Sequence, residues 1–167
     1  MASRQNSAAA RGLMVSTFHT LGLNILRREY KSLGYRSGFS IFDAQDSLAV
    51  LRDLMGRDFA ADSEHAEQVQ WQISEWKNQL ILPDKAMQIA EAGTQMAAAK
   101  VYPLYTAALQ AYNAVDFDDL ILKPVVLFRE NPEVLKKWQA RIHYLLVDEY
   151  QDTNGCQYEL VKQLVGI

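Results

Sequence analysis

The sequence predicts a mainly α-helical fold in which a helical subdomain is inserted between two parallel strands of an α/β domain that is present only in part. Three features of the 167 residues lead there. Leu13 to Ser16 is a short apolar run that hands over at Thr17-Phe18-His19 to helical periodicity. Tyr144 to Val147 is a second apolar run, and it ends abruptly in adjacent carboxylates, Asp148 and Glu149. That is how a buried parallel strand delivers acids to the edge of a sheet. The residues between the two runs read as helix. Strands so far apart in sequence suit neighbours in a parallel sheet joined by a long crossover. Parallel pairing sends Thr17-Phe18-His19 and Asp148-Glu149 out of the same rim, where open α/β sheets take ligands.

In chain order, residues 1–11 carry no apolar segment of signal-peptide length and read as a flexible lead or tag. Beyond the first strand, Leu21, Ile25, Leu26, Tyr30 and Leu33 fall near one face of a helix that Gly34 stops. Asp43 with Asp46 forms a capping arrangement ahead of the stripe Leu48, Leu51, Leu54 and Met55. Ser63 caps a third helix, on which Val69, Ile73, Trp76 and Leu80 repeat. Trp76 belongs to the core, and Trp71 lies off the stripe.

Leu82-Pro83-Asp84 breaks the pattern, and Asp84 is the expected N-cap of a long alanine-rich helix to about Asn113, loosened at Gly93 and kinked or restarted at Pro103. Its expected buried face is Val101, Leu104, Tyr105, Ala108, Leu109 and Tyr112. Asp116-Phe117-Asp118-Asp119 reads as the opening turn of the next helix, where acids meet the positive end of the dipole, and Pro124 bends or ends that helix. A calcium loop is the other use of such acids, but the turn glycine and the downstream glutamate are absent. Asn131-Pro132 supplies a cap and first-turn proline for a helix carrying Val134, Leu135 and Trp138. After the second strand, Tyr158, Leu160, Val161, Leu164 and Val165 make a last helix.

Two acids at a strand end have a chemical use in nucleotide-hydrolysing folds. The first can hold a magnesium ion that bridges phosphates, and the second can orient or deprotonate the attacking water. An isolated Asp-Glu also describes nothing more than a solvated strand end. The longer string Val147-Asp148-Glu149-Tyr150-Gln151-Asp152 resembles the Walker B box, motif II, of superfamily 1A helicases, the UvrD/Rep/PcrA group. Val15-Ser16-Thr17-Phe18-His19 is similar to motif Ib of that family, and Asp116-Phe117-Asp118-Asp119-Leu120 to the segment preceding its motif II. With Trp76-Lys77-Asn78 between them, the resemblance runs from about Arg11 to Gly166.

That resemblance implies an ATP-dependent DNA helicase and single-strand translocase of 3′-to-5′ sense, cytoplasmic, using ATP and Mg2+. Single-stranded DNA and duplex junctions are the implied substrates, and replication or repair proteins the implied partners. Asp148 becomes the metal ligand, Glu149 the catalytic carboxylate and Gln151 a sensor of the γ-phosphate or attacking water, all three facing the nucleotide. Thr17, Phe18, His19, Asp116, Phe117 and Asp118 become DNA contacts. The implied division is 12–20 as a strand end of motor domain 1A, 21–115 as a helical 1B-like subdomain and 116–167 as the return to 1A, the whole a truncated P-loop NTPase domain with a helical insert. Without the family, plainer roles stand beside these: Thr17 as an N-cap, Phe18 as an apolar staple, His19 as a helix-capping histidine and Gln151 as a turn-fixing hydrogen bond.

Composition narrows the classes. With 49% hydrophobic and 22% charged residues the chain suits a globular protein, and no run approaches the roughly eighteen apolar residues of a membrane span. The single cysteine, Cys156, excludes an internal disulfide and a cysteine-cluster zinc site. Net charge is −3, so a global phosphate-binding surface is absent. Basic residues gather locally at Arg27, Arg28, Lys31 and Arg36, and again at Lys123, Arg129, Lys136, Lys137 and Arg141, as phosphate tracks or as solvated helix faces. None of the eight glycines begins a Gly-Lys-Ser/Thr phosphate cradle. The expectation is an excised piece that neither hydrolyses ATP nor unwinds DNA alone. The rival readings are a non-catalytic helical protein-interaction module and a DNA-binding module without ATP chemistry.

Overall fold

The computed structural model describes residues 13–15, 17–58, 65–142, 144–146 and 154–167. In chain order the elements are β1 (Leu13–Val15), α1 (Phe18–Glu29), β2 (Ser40–Phe42), α2 (Ala44–Asp58), α3 (Ala66–Asn78), α4 (Pro83–Ile89), α5 (Thr94–Ala111), β3 (Ala114–Asp116), α6 (Asp119–Glu130), α7 (Pro132–Arg141), β4 (Tyr144–Leu146) and α8 (Gly155–Val165). The two predicted strands pair in parallel, with Leu13 opposite Tyr144 and Val15 opposite Leu146. Inside that crossover lies a second parallel pair, β2 with β3, which sets Ser40 opposite Ala114 and Phe42 opposite Asp116. Three-residue strands are too short to show an alternating pattern, and their partners are separated by four helices. Neither was anticipated for that reason.

Helix ends follow the local chemistry read from the sequence. The Thr17 hydroxyl accepts the Thr20 N–H at 3.1 Å and caps α1. Past α1 the chain tightens into a 3-10 turn over Tyr30–Leu33 and stops at Gly34, whose φ of 79° is left-handed. Asp43 and Asp46 exchange backbone-to-carboxylate hydrogen bonds of 2.8 and 3.1 Å ahead of α2. Asn154 and Gln157 form a capping box at α8.

Five expectations are corrected. The long helix predicted from Asp84 is two helices, because Gly93 adopts φ 90° and ψ −135°, a conformation that suits glycine, and separates α4 from α5. Pro83 fits the first position of α4, so Leu82 takes the cap place expected of Asp84. Pro103 does not start a new helix. It is exposed within α5, which Tyr102 and Tyr105 anchor by burial, whereas Leu104 and Tyr112 face solvent. Pro124 likewise lies inside α6. The proposed cap Ser63 lies outside the described residues.

The buried apolar side chains divide into two main clusters. One joins α2, α3, α4 and α5 around Leu51, Met55, Val69, Ile73 and Trp76, with Tyr102 stacked parallel to Trp76 at 6.1 Å. The other joins α1, α6, α7 and α8 around Ile25, Val125, Phe128, Trp138 and Leu160. Trp76 is core as predicted, and Trp71 is 64% exposed. In the second cluster the indole N–H of Trp138 donates to buried Glu29 at 3.0 Å, and Lys137 pairs with the same carboxylate.

Candidate functional site

The cap at Thr17 places His19 in the first turn of α1, and the end of β3 at Asp116 leaves Phe117 and Asp118 as the connection into α6. These two places meet. The rings of His19 and Phe117 stack face to face, with centroids 3.8 Å apart and planes inclined by 12°. Phe117 is 56% exposed, so its ring forms a surface platform and not a core contact. His19 is half-buried, and that burial lowers its pKa below the ordinary 6.5.

The turn that carries Phe117 is locked from both sides. Asp119 N–H donates to Asp116 Oδ1 at 2.9 Å, and Asp116 N–H donates to Asp119 Oδ2 at 3.2 Å. Below them, the Lys77 ammonium of α3 donates to Asp116 Oδ2 at 2.7 Å and to Asp119 Oδ1 at 2.9 Å. The Tyr105 hydroxyl donates to Asp116 Oδ2 at 2.8 Å. Lys77 is 3% exposed, and burial opposes its charge, yet the carboxylates of Asp119 and Asp116 outweigh this and raise its pKa. Burial also pushes the Asp116 carboxyl up, but the Lys77 charge and the hydrogen bonds around it carry it below the usual value. Asp119 is raised by burial and by Asp116, and Asp118 is pushed up to about 6 by the same two causes.

The predicted site residues therefore take different places. His19 and Phe117 come together on the surface, Phe18 packs partly buried against the α1/α6–α8 cluster, and Thr17 caps its helix. Asp116 was expected in the opening turn of a helix and in contact with DNA. It closes β3 instead, is 6% exposed and has its carboxylate committed to Lys77 and Tyr105. Asp118 is partly buried beside it. Asp148, Glu149 and Gln151 lie outside the described residues, following β4, which ends at Leu146. Among the described residues, no cluster of His, Cys, Asp and Glu suits a metal ion, and no helix is long and apolar enough to cross a membrane.

Lys77 stands beside Trp76 in the sequence with no predicted role. The signal was available: Lys77 follows Ile73 by four residues and so falls on the buried stripe, where a cation requires partners. Beside Phe117 opens a cleft of about 480 Å³ that Trp71 and Phe42 also line, and its lining includes the acids Asp43, Glu67 and Asp118.

The chain belongs to the UvrD/REP helicase N-terminal domain family, which it matches over residues 1–167. It is 53% identical over 157 residues to the ATP-dependent DNA helicase Rep of Escherichia coli K12 and 52% identical over the same length to that of Salmonella typhimurium LT2. It is 41% identical over 163 residues to the ATP-dependent DNA helicase UvrD1 of Mycobacterium tuberculosis H37Rv. Each alignment covers 94% of this chain, but only 23% of either Rep protein and 21% of UvrD1. The chain thus spans less than a quarter of the length of these relatives.

Proposed function

We propose that this chain is a segment of an ATP-dependent DNA helicase that translocates 3′-to-5′ along single-stranded DNA, and that the His19–Phe117 stack is a platform for a base of that strand. The observation that carries this reading is the stack itself. Two segments from either side of the helical insert, both resembling DNA-contacting parts of the family, present their rings to one another at 3.8 Å with Phe117 open to solvent. Base stacking on an aromatic ring contributes about 1–3 kcal/mol and is indifferent to sequence, which is what a translocase requires. Arg27, two turns along α1 from His19, offers a phosphate contact at about 12 Å along the helix axis.

The oxygen donors of Asp148, Glu149 and Gln151 suit a hard cation such as Mg2+, and bound ATP supplies the phosphoryl group to be transferred. In this reading Asp148 holds the metal, Glu149 orients or deprotonates water and Gln151 senses the γ-phosphate. The chain has no Gly-Lys-Ser/Thr frame, so its own residues do not cradle the triphosphate, and alone it is expected neither to hydrolyse ATP nor to unwind DNA. The strands β1 and β4 then belong to motor domain 1A, and the helices between β2 and β3 to a 1B-like subdomain. The packing of α1 against α6 and α8 favours drawing the boundary after α1, not at residue 21. Single-stranded DNA and duplex junctions are the substrates, replication or repair proteins the partners, and the cytoplasm the setting.

The test is DNA-stimulated ATP hydrolysis by the full-length protein. Glu149→Gln is expected to abolish turnover while single-stranded DNA is still bound. Hydrolysis that survives this substitution overturns the reading.

A further inference from the structure

We infer that Lys77 is a positioning residue for the aromatic platform: its ammonium, inserted from α3 between Asp116 and Asp119, holds the Phe117 turn in the form that stacks on His19. The hydrogen bonds divide so that each oxygen of the two carboxylates has its own work. Asp116 Oδ1 and Asp119 Oδ2 accept each other's backbone N–H groups, which closes the turn around Phe117 and Asp118. Asp116 Oδ2 and Asp119 Oδ1 both accept from Lys77. One cation therefore joins the two halves of the lock. The other nearby cation, Lys123, also acts on the Asp119 carboxyl, but its ammonium lies over the Tyr35 ring, 6.0 Å from the centroid, and makes none of these hydrogen bonds.

Removing the ammonium leaves two buried carboxylates facing each other at the base of a two-residue turn. Like charges in that setting separate or take up a proton, and either response disturbs the backbone that aims the Phe117 ring. Lys77 is held in turn by the helical cluster, with its ammonium 5.2 Å from the Tyr105 ring centroid and Trp76 buried beside it in sequence. The platform's geometry is thereby tied to the packing of α3 and α5. Only the consequence for DNA rests on the function proposed above. The positioning itself can be read in the free protein.

The experiment is NMR of the His19 imidazole. Stacked at 3.8 Å on Phe117, its ring protons are expected upfield of their ordinary positions, and Phe117→Leu sets the unstacked baseline. Lys77→Met is expected to move these resonances to that baseline while the signals of buried Trp76 and Tyr102 persist. If the single variant does not fold, Lys77→Met/Asp119→Asn removes one charge of each sign and restores the buried balance. With the ammonium's tie from α3 gone, the upfield shift is expected to be lost there as well. A folded variant of either kind that keeps the shift overturns the positioning role. Binding of oligodeoxythymidylate, compared with an abasic strand of equal length, reads the consequence in the full-length protein. A roughly tenfold loss confined to the base-bearing strand is expected. A lost shift with unchanged affinity supports the positioning role and overturns the base-platform reading.

Discussion

Gly22 of α1 lies directly against the backbone of Leu120 in α6: a β-carbon on Gly22 would fall 1.7 Å from the Leu120 carbonyl oxygen. The contact comes three residues after His19 on one segment and three after Phe117 on the other, one turn behind the ring stack. Pro124, four residues beyond Leu120, has no N–H to donate to that carbonyl as the residue of an ordinary helix would. The proline inside α6 and the glycine inside α1 thus belong to one arrangement, in which the two helices approach closely enough for His19 and Phe117 to meet.

Gly22→Ala is accordingly expected to destabilise the protein. In an exposed helix the change would gain about 1 kcal/mol from helix propensity. Here the added methyl meets backbone, which cannot step aside as a flexible side chain would, and overpacking of this kind costs about 1–3 kcal/mol or more. Urea denaturation measures it, and a rise in the midpoint would contradict the close approach.

Asp118 supplies a pH dependence of definite sign. Burial and the nearby Asp116 raise its carboxyl from 3.8 to about 6, so the folded form holds the proton more tightly than the unfolded chain does. Its stabilising contribution is complete below about pH 4 and is lost as pH rises through 6. Asp118→Asn should therefore be more stable than the parent at pH 7, by about 1 kcal/mol once partial exposure is allowed for, and equal to it below pH 4. Thermal melts at the two pH values decide the matter, and a destabilised variant at pH 7 would contradict it.

The tryptophans of α3 separate core from surface. Trp76→Ala removes a buried ring stacked on Tyr102 and is expected to cost about 3–5 kcal/mol. Trp71→Ala, on the exposed face, should stay within about 0.5 kcal/mol of the parent. Equal losses from the two would contradict the helix orientation.

What was legible in the sequence was local or strongly periodic. Thr17 and the Asp43/Asp46 pair cap their helices with atoms three residues away, and Trp76 repeats with Val69 and Ile73 at helical spacing. The parallel pairing of Leu13–Val15 with Tyr144–Leu146 was legible because both runs close on polar groups. What escaped depends on distant partners. β2 and β3 gain their identity only from each other, and Asp116 reads as a solvent-facing acid until Lys77 arrives from α3. The break at Gly93 in place of Pro103 shows backbone conformation overriding composition, since α5 tolerates an exposed proline between two anchored tyrosines.

The account depends most on Phe117 acting as a surface for a base, and equilibrium binding of fluorescently labelled oligodeoxythymidylate to the full-length protein tests this directly. Phe117→Ala should weaken binding by about 1–3 kcal/mol, roughly five- to a hundredfold, with little change in melting temperature because the ring is 56% exposed, and Phe117→Trp should restore affinity. Unchanged affinity in a folded Phe117→Ala protein would contradict the account.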